Sequence, residues 1–248
     1  MAIKSFIPNF VTLLNLLCGS IAVLFAVNNL FVAAAVFVFL GIFFDFFDGL
    51  LARKLNVQSE IGLQLDSLAD MVTSGLVPGI VMFKLISLSI DDSAFLTGST
   101  DWNSMLHLGD FKFAPIALIG FLVTLGSAYR LAKFNVDEEQ QSYFKGLPTP
   151  ANALLILSLP LIMEFQNNDL INSIILNAWF LIPLAIASCY ILNAPVKLFA
   201  LKFKDWSFKN NAIRYLFILL CVVLLIVLQF AAIPLIILLY ILMSLFSK

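Results

Sequence analysis

Residues 45–70 read DFFDGLLARKLNVQSEIGLQLDSLAD, and four aspartates in that stretch, Asp45, Asp48, Asp66 and Asp70, stand inside or at the ends of apolar segments. Helical periodicity brings them together. Asp45 and Asp48 are three apart, with Gly49 and Ala52 completing the same face, and Gly62, Asp66 and Asp70 follow at intervals of four on the next helix. Asp45 precedes Arg53 by eight residues and Asp70 follows Gly62 by eight, so each reaches about 12 Å inward from a shared turn. Two antiparallel helices would set the four carboxylates opposite one another.

The rest of the chain is too apolar for a soluble core. Hydrophobic residues make up 62% and charged residues 12%, with a mean hydropathy of +1.03, against roughly 45–50% and about 25% in soluble domains. The basic and acidic residues, 14 and 15, nearly cancel, which gives no electrostatic footprint for nucleic acid. Cys18, Cys189 and Cys221 each lie in an apolar run without paired spacing and read as packing residues. The N-terminal run is broken by Asn9, Thr12 and Asn15, and Leu17 is too large to precede a processed Cys18, so it reads as a retained first helix rather than a signal peptide.

Stretches long enough to cross a bilayer occur at about 8–28, 30–52, 66–88, 113–133, 149–165, 171–192, 211–229 and 231–246. The expectation is a single all-α, polytopic domain over 1–248 with eight spans, a core at 1–193 and an extra C-terminal helical hairpin at 211–246. Eight spans put Lys4, Arg53, Lys54, Arg130, Lys133, Lys145, Lys197, Lys202, Lys204, Lys209, Arg214 and Lys248 on one side and only Lys84 and Lys112 on the other. Cytoplasmic loops carry the excess of Lys and Arg, so both termini are expected in the cytoplasm. Trp102 and Trp206 fall near interfaces as anchors, and His107, the sole histidine, falls in the opposite-side loop.

Membrane solubility does not explain the aspartates. An ionised Asp near mid-bilayer costs about 2.5–3.5 kcal/mol even on a lenient scale, so four imply on the order of 10 kcal/mol. Four oxygen donors without nearby His or Cys suit two hard divalent cations, Mg²⁺ or Mn²⁺, a pair that serves in-line displacement at phosphorus. Gly49, Ala52 and Gly62 leave room for a ligand to approach the backbone, and Arg53 stands where it can pair with a phosphate. The plainer alternatives are interhelical polar glue or a transporter's cation or proton path.

The arrangement D-x-x-D-G-x-x-A-R-x8-G-x-x-x-D-x-x-x-D, filled here by Asp45, Asp48, Gly49, Ala52, Arg53, Gly62, Asp66 and Asp70, resembles in full the signature of the CDP-alcohol phosphatidyltransferases. The resemblance implies that Asp45, Asp48, Asp66 and Asp70 hold the metals and that Asp70 also takes the proton of the attacking alcohol. It implies that Gly49, Arg53 and Ser59 line the cytidine diphosphate site, and that Pro8, Asn9, Thr12 and Asn15 belong to a first-helix segment closing over the nucleotide. For Asn9, Thr12 and Asn15, helix–helix hydrogen bonds are the competing role. A homodimer is implied as well.

Two further segments, Tyr129-Arg-Leu-Ala-Lys-Phe-Asn135 and Phe144-Lys-Gly-Leu-Pro-Thr-Pro-Ala-Asn152, resemble the serine-using branch of the family, with Lys133 where that branch usually has Arg. CDP-diacylglycerol and serine are thus the expected substrates, in a multi-pass enzyme of a bacterial inner membrane whose site faces the cytoplasm. Serine's carboxylate needs a fixed cation, and Arg130 is the expected one, with Lys133, Asn135 and Lys145 behind it. Glycerol 3-phosphate or inositol phosphate would be the alternative acceptors.

Overall fold

The computed structural model describes residues 2–97, 106–108, 111–136, 144–166, 168–198 and 208–246. Trp102 and Trp206 lie outside them, as does the side chain of His107. Helix α1 (Ala2–Val27) turns at Asn29 into α2 (Phe31–Lys54), and a second turn at Asn56 leads to α3 (Glu60–Asp70). Both turns need a left-handed residue, and asparagine supplies it at φ 60° and 53°. A wide π-helical turn, Met71–Leu76, carries α3 into α4 (Val77–Thr97). The chain continues through a short ladder of β1 (Leu106–Leu108) with β2 (Phe111–Phe113), then a 3₁₀ turn, Pro115–Phe121, into α5 (Leu122–Val136). Next come β3 (Phe144–Lys145), α6 (Thr149–Gln166), α7 (Asp169–Ile175), α8 (Ala178–Asn193) and β4 (Lys197–Leu198), which pairs antiparallel with β3. Helices α9 (Phe208–Leu228) and α10 (Ala232–Phe246) complete the description.

Helix α4 is the centre of the bundle. Its Val77, Val81, Met82, Leu85 and Ile86 are fully buried, in one cluster with Ala22 and Ala26 of α1, Ala34, Ala35 and Val38 of α2, Ile156 and Leu157 of α6, and Leu181 and Ala185 of α8. Alanines on α1 and α2 let those backbones approach closely, as membrane helices require. The outer faces are apolar too: Leu24, Phe43, Phe46, Leu219, Ile226 and Trp179 all stand exposed. Only lipid makes such a surface acceptable.

Each of the eight expected apolar segments is helical, but length and apolarity qualify fewer of them as spans. Among the described residues five stretches pass, Phe6–Val27, Phe31–Lys54, Glu60–Ile90, Pro115–Val136 and Arg214–Leu245, with a sixth if α7 and α8, bent by 56°, act together. Helix α6, expected as a span at 149–165, is not among them; it carries Pro160, Glu164 and Gln166. Arg214–Leu245 is folded on itself: the rings of Phe217 and Tyr240 are 5.8 Å apart, whereas a straight helix would separate those positions by about 34 Å. The reversal falls at Gln229, φ 48°, and lays α10 back along α9.

Candidate metal centre and nucleotide cavity

Helices α2 and α3 face one another across the Asn56 turn, and their acidic stripes meet. Asp45, Asp48 and Asp66 each bring a carboxylate oxygen within 4.8 Å of the others. Asp48 is buried and its Oδ2 has no hydrogen-bond partner, while Asp45 and Asp66 are half-buried. Clustered carboxylates repel one another in a low-dielectric setting. A hard cation removes that repulsion and gives the orphaned Oδ2 a partner, so the donor set fits a divalent metal.

Asp70 lies one turn beyond Asp66 and is held from behind. Its Oδ1 accepts a hydrogen bond from Asn15 Nδ2 at 3.3 Å. Asn15 is fully buried, and its own Oδ1 accepts from the Thr73 hydroxyl at 2.8 Å. That second bond fixes which way the amide points, with nitrogen toward Asp70. Thr73 sits in the π-helical turn and fits a notch at Gly19 and Gly41. A Cβ on Gly41 would stand 2.6 Å from Thr73 Cγ2 and 2.8 Å from Asn15 Oδ1, so glycine is required there. Thr73 and its glycines were not expected from sequence; a threonine inside an apolar run next to the fourth aspartate was the available signal.

Beside the aspartates opens a cavity of about 480 Å³, bounded by the start of α1, the end of α2 and the start of α3. Asn9, Thr12, Gly49, Ala52, Arg53, Ser59 and Gly62, the residues expected at the nucleotide, all line it together with Asp48 and Asp66. Several are also engaged structurally. Ser59 caps α3 by accepting from Gly62 N at 3.1 Å, Thr12 donates back to Pro8 O at 3.1 Å, and Arg53 Nε donates to Gly49 O at 2.9 Å. A side chain on Gly62 would press on Asn9 Oδ1 and Ser59 Oγ, each 3.2 Å from its Cβ position.

The expected acceptor residues separate. Arg130 is buried, 8% exposed, with Nε unpartnered, and lies close enough to Asp70 and Tyr240 for electrostatic interaction with both. Lys133 is exposed near the end of α5, and Lys145 is half-buried in β3. Asn135 instead clamps α5 to α3: its Oδ1 accepts from Ser67 Oγ at 3.1 Å and its Nδ2 donates to Gln64 Oε1 at 3.3 Å. Tyr240, from the C-terminal hairpin, was not foreseen beside Arg130.

Residues 5–191 match the family model for CDP-alcohol phosphatidyltransferase. The CDP-diacylglycerol–serine O-phosphatidyltransferase of Bacillus subtilis is 29% identical over 170 residues, 68% of this chain and 81% of that protein. The enzyme so named from Methanocaldococcus jannaschii is 31% identical over 170 residues, 68% of this chain and 66% of its own length. An archaetidylserine synthase of Methanothermobacter thermautotrophicus is 30% identical over 161 residues, 63% of this chain and 59% of that one.

Proposed function

Since this chain belongs to the CDP-alcohol phosphatidyltransferase family, we propose that it transfers the phosphatidyl group of CDP-diacylglycerol to the hydroxyl of L-serine, yielding phosphatidylserine and CMP. The observation that carries this reading is the junction of a three-carboxylate cluster with the 480 Å³ cavity, two of whose lining residues are cluster aspartates.

Asp45, Asp48, Asp66 and Asp70 would hold divalent cations, Mg²⁺ or Mn²⁺, which when bound offset diphosphate charge and stabilise the attacking and leaving oxygens. The chain's own residues do the remainder. The cavity holds the cytidine diphosphate, its glycines admitting the ligand close to the backbone, and Arg53 at the mouth pairs with a phosphate. Asp70 accepts the proton of the serine hydroxyl as that oxygen attacks the phosphorus bearing diacylglycerol. The bond from that phosphorus to the bridging oxygen breaks, and CMP departs with the electron pair. Arg130 answers the serine carboxylate.

Relatives named for serine transfer support that acceptor over glycerol 3-phosphate or inositol phosphate. Gathering of the aspartates into one cluster, rather than a file along the bundle, argues against a cation pathway. The basic-residue partition supports a cytoplasm-facing site with both termini on that side. A homodimer in a bacterial inner membrane completes the proposal, on family resemblance.

The test is an acceptor panel with purified protein and labelled CDP-diacylglycerol. Serine should give labelled phosphatidylserine and CMP, with turnover abolished by excess EDTA and restored by Mg²⁺ or Mn²⁺. Preference for glycerol 3-phosphate would overturn the serine assignment. Undiminished turnover in EDTA would overturn the metal assignment.

A further inference from the structure

Native interiors leave few polar groups unpaired, because low dielectric makes an orphan costly. Asn152, on the first turn of α6, is 0% exposed, and neither its Oδ1 nor its Nδ2 has a hydrogen-bond partner among the described residues. Among the other orphaned atoms on elements that α6 packs against, Ser74 Oγ in the π-helical turn, 0% exposed, is nearest in sequence to Asp70, and Arg130 Nε on α5, 8% exposed, is in electrostatic reach of it. Three buried side chains with unmet hydrogen-bonding capacity thus come from three mutually packed elements.

Hydrogen bonds between these elements stitch this region together. Leu147 N donates to Ile191 O at 3.1 Å near the end of α8. Two residues on, Asn193 Nδ2 donates to Gly126 O at 3.0 Å, one turn before Arg130. The start of α6 is thereby pinned beside the Arg130 turn of α5. Gly146 makes the approach possible, since at φ 77° its hydrogen faces the Leu192 carbonyl, where a Cβ would collide. Ser74 follows Asp70 by four residues along continuous helix, and Arg130 is in electrostatic reach of Asp70.

Resting on the serine reading above, we infer that Asn152 and Ser74 form with Arg130 the pocket that recognises the α-amino acid part of the acceptor. An ammonium only donates and a carboxylate only accepts, whereas an amide does both. Asn152 Oδ1 takes the serine ammonium, and its Nδ2 shares the carboxylate with the Arg130 guanidinium. Ser74 supplies a hydroxyl that adapts to either group. A phosphate-bearing alcohol has no ammonium for Asn152 Oδ1 and sets an acceptor-only phosphate against an amide that must donate and accept, so the same amide favours the amino-acid acceptor.

Kinetics with purified wild type, Asn152→Leu and Asn152→Asp, varying serine and CDP-diacylglycerol separately, test this. Both variants should raise the apparent KM for serine at least tenfold and shift that for CDP-diacylglycerol by less than twofold. Asn152→Asp, which puts a second carboxylate against that of serine, should also lower the preference for serine over ethanolamine, an acceptor with no carboxylate. Serine added with CMP and Mn²⁺ should raise the melting temperature of wild type and not of the variants. Ser74→Ala, with a smaller rise in serine KM, serves should the position-152 variants fail to fold. An unchanged serine KM, an equal rise for both substrates, or a retained serine-dependent melting shift overturns the pocket. A wild type that prefers a phosphate-bearing alcohol sinks the serine reading and the pocket together, whereas a serine-specific wild type with silent variants sinks the pocket alone.

Discussion

Asp45 and Asp66 contribute oxygens to one cluster, so neutralising either removes a proposed metal ligand without adding bulk. Asp45→Asn and Asp66→Asn should abolish CMP release while the protein still inserts and purifies in normal amount; relief of the burial cost of a charge favours insertion. Retained turnover in either variant would contradict the metal assignment. Asn15 and Thr73 act one step behind. Asn15→Leu deletes the donor to Asp70, a bond to a charged group worth about 1.5–3 kcal/mol, so kcat should fall roughly 10- to 150-fold with both KM values little changed. Thr73→Val should do the same more weakly by releasing the amide, and Thr73→Ser, which keeps the hydroxyl, should be near wild type. A fall in Thr73→Ser as large as in Thr73→Val would mean that packing in the Gly19 and Gly41 notch, not amide orientation, is what Thr73 supplies.

Among the elements, the C-terminal hairpin lies beyond the family match, which ends at residue 191, yet it is tied to the core at two points. Gln166, the last residue of α6, fills the break between α9 and α10: its Nε2 donates to Leu228 O at 2.9 Å, and its Oε1 accepts from Ala231 N at 3.1 Å. Phe165 stacks on Phe230 beside it, ring centroids 5.1 Å apart. At the other end Ile237 packs in a buried cluster with Leu147 and Leu198, and Tyr240 lies against it. Gln166→Leu strips both backbone groups of their partner inside an apolar bundle, at about 1–3 kcal/mol each. It should lower the detergent melting midpoint by several degrees, at about 2–4 °C per kcal/mol. Doubly spin-labelled α9 and α10 should show a broadened distance distribution in the same variant. An unchanged midpoint would mean that lipid-facing contacts alone hold the hairpin.

For the molecule as a whole, the proposed orientation rests on the twelve basic residues that eight spans would place on one side against two on the other, a bias that acts through short loops. Single cysteines at Asp101 and Ser207, in a background lacking Cys18, Cys189 and Cys221, should react with an impermeant reagent from opposite sides of sealed vesicles. Labelling of both from one side would refute the eight-span arrangement and require α6, or the bent pair α7 and α8, to be re-entrant.

The chain's periodicity and composition by themselves determined a membrane-embedded helical bundle, the two acidic stripes and their meeting across a short turn. Those properties are local: spacing along a helix sets its faces, and the burial cost of a carboxylate marks the residues that need another reason to exist. Of the cavity-lining residues, Gly49, Ala52, Arg53 and Gly62 were legible from that same spacing, whereas Asn9, Thr12 and Ser59 were expected only from the family resemblance. Only the tertiary structure decided which polar groups meet across distant elements. Asn15 reaches Asp70 over 55 positions, Asn135 turns to Gln64 and Ser67 rather than to the acidic centre, and Gln166 closes a loop 62 residues away. The Asn152 side chain is left buried with no hydrogen-bond partner among the described residues. Pairing, or its absence, depends on which neighbour packing delivers, and no periodicity in one segment encodes the helix that comes to lie beside it.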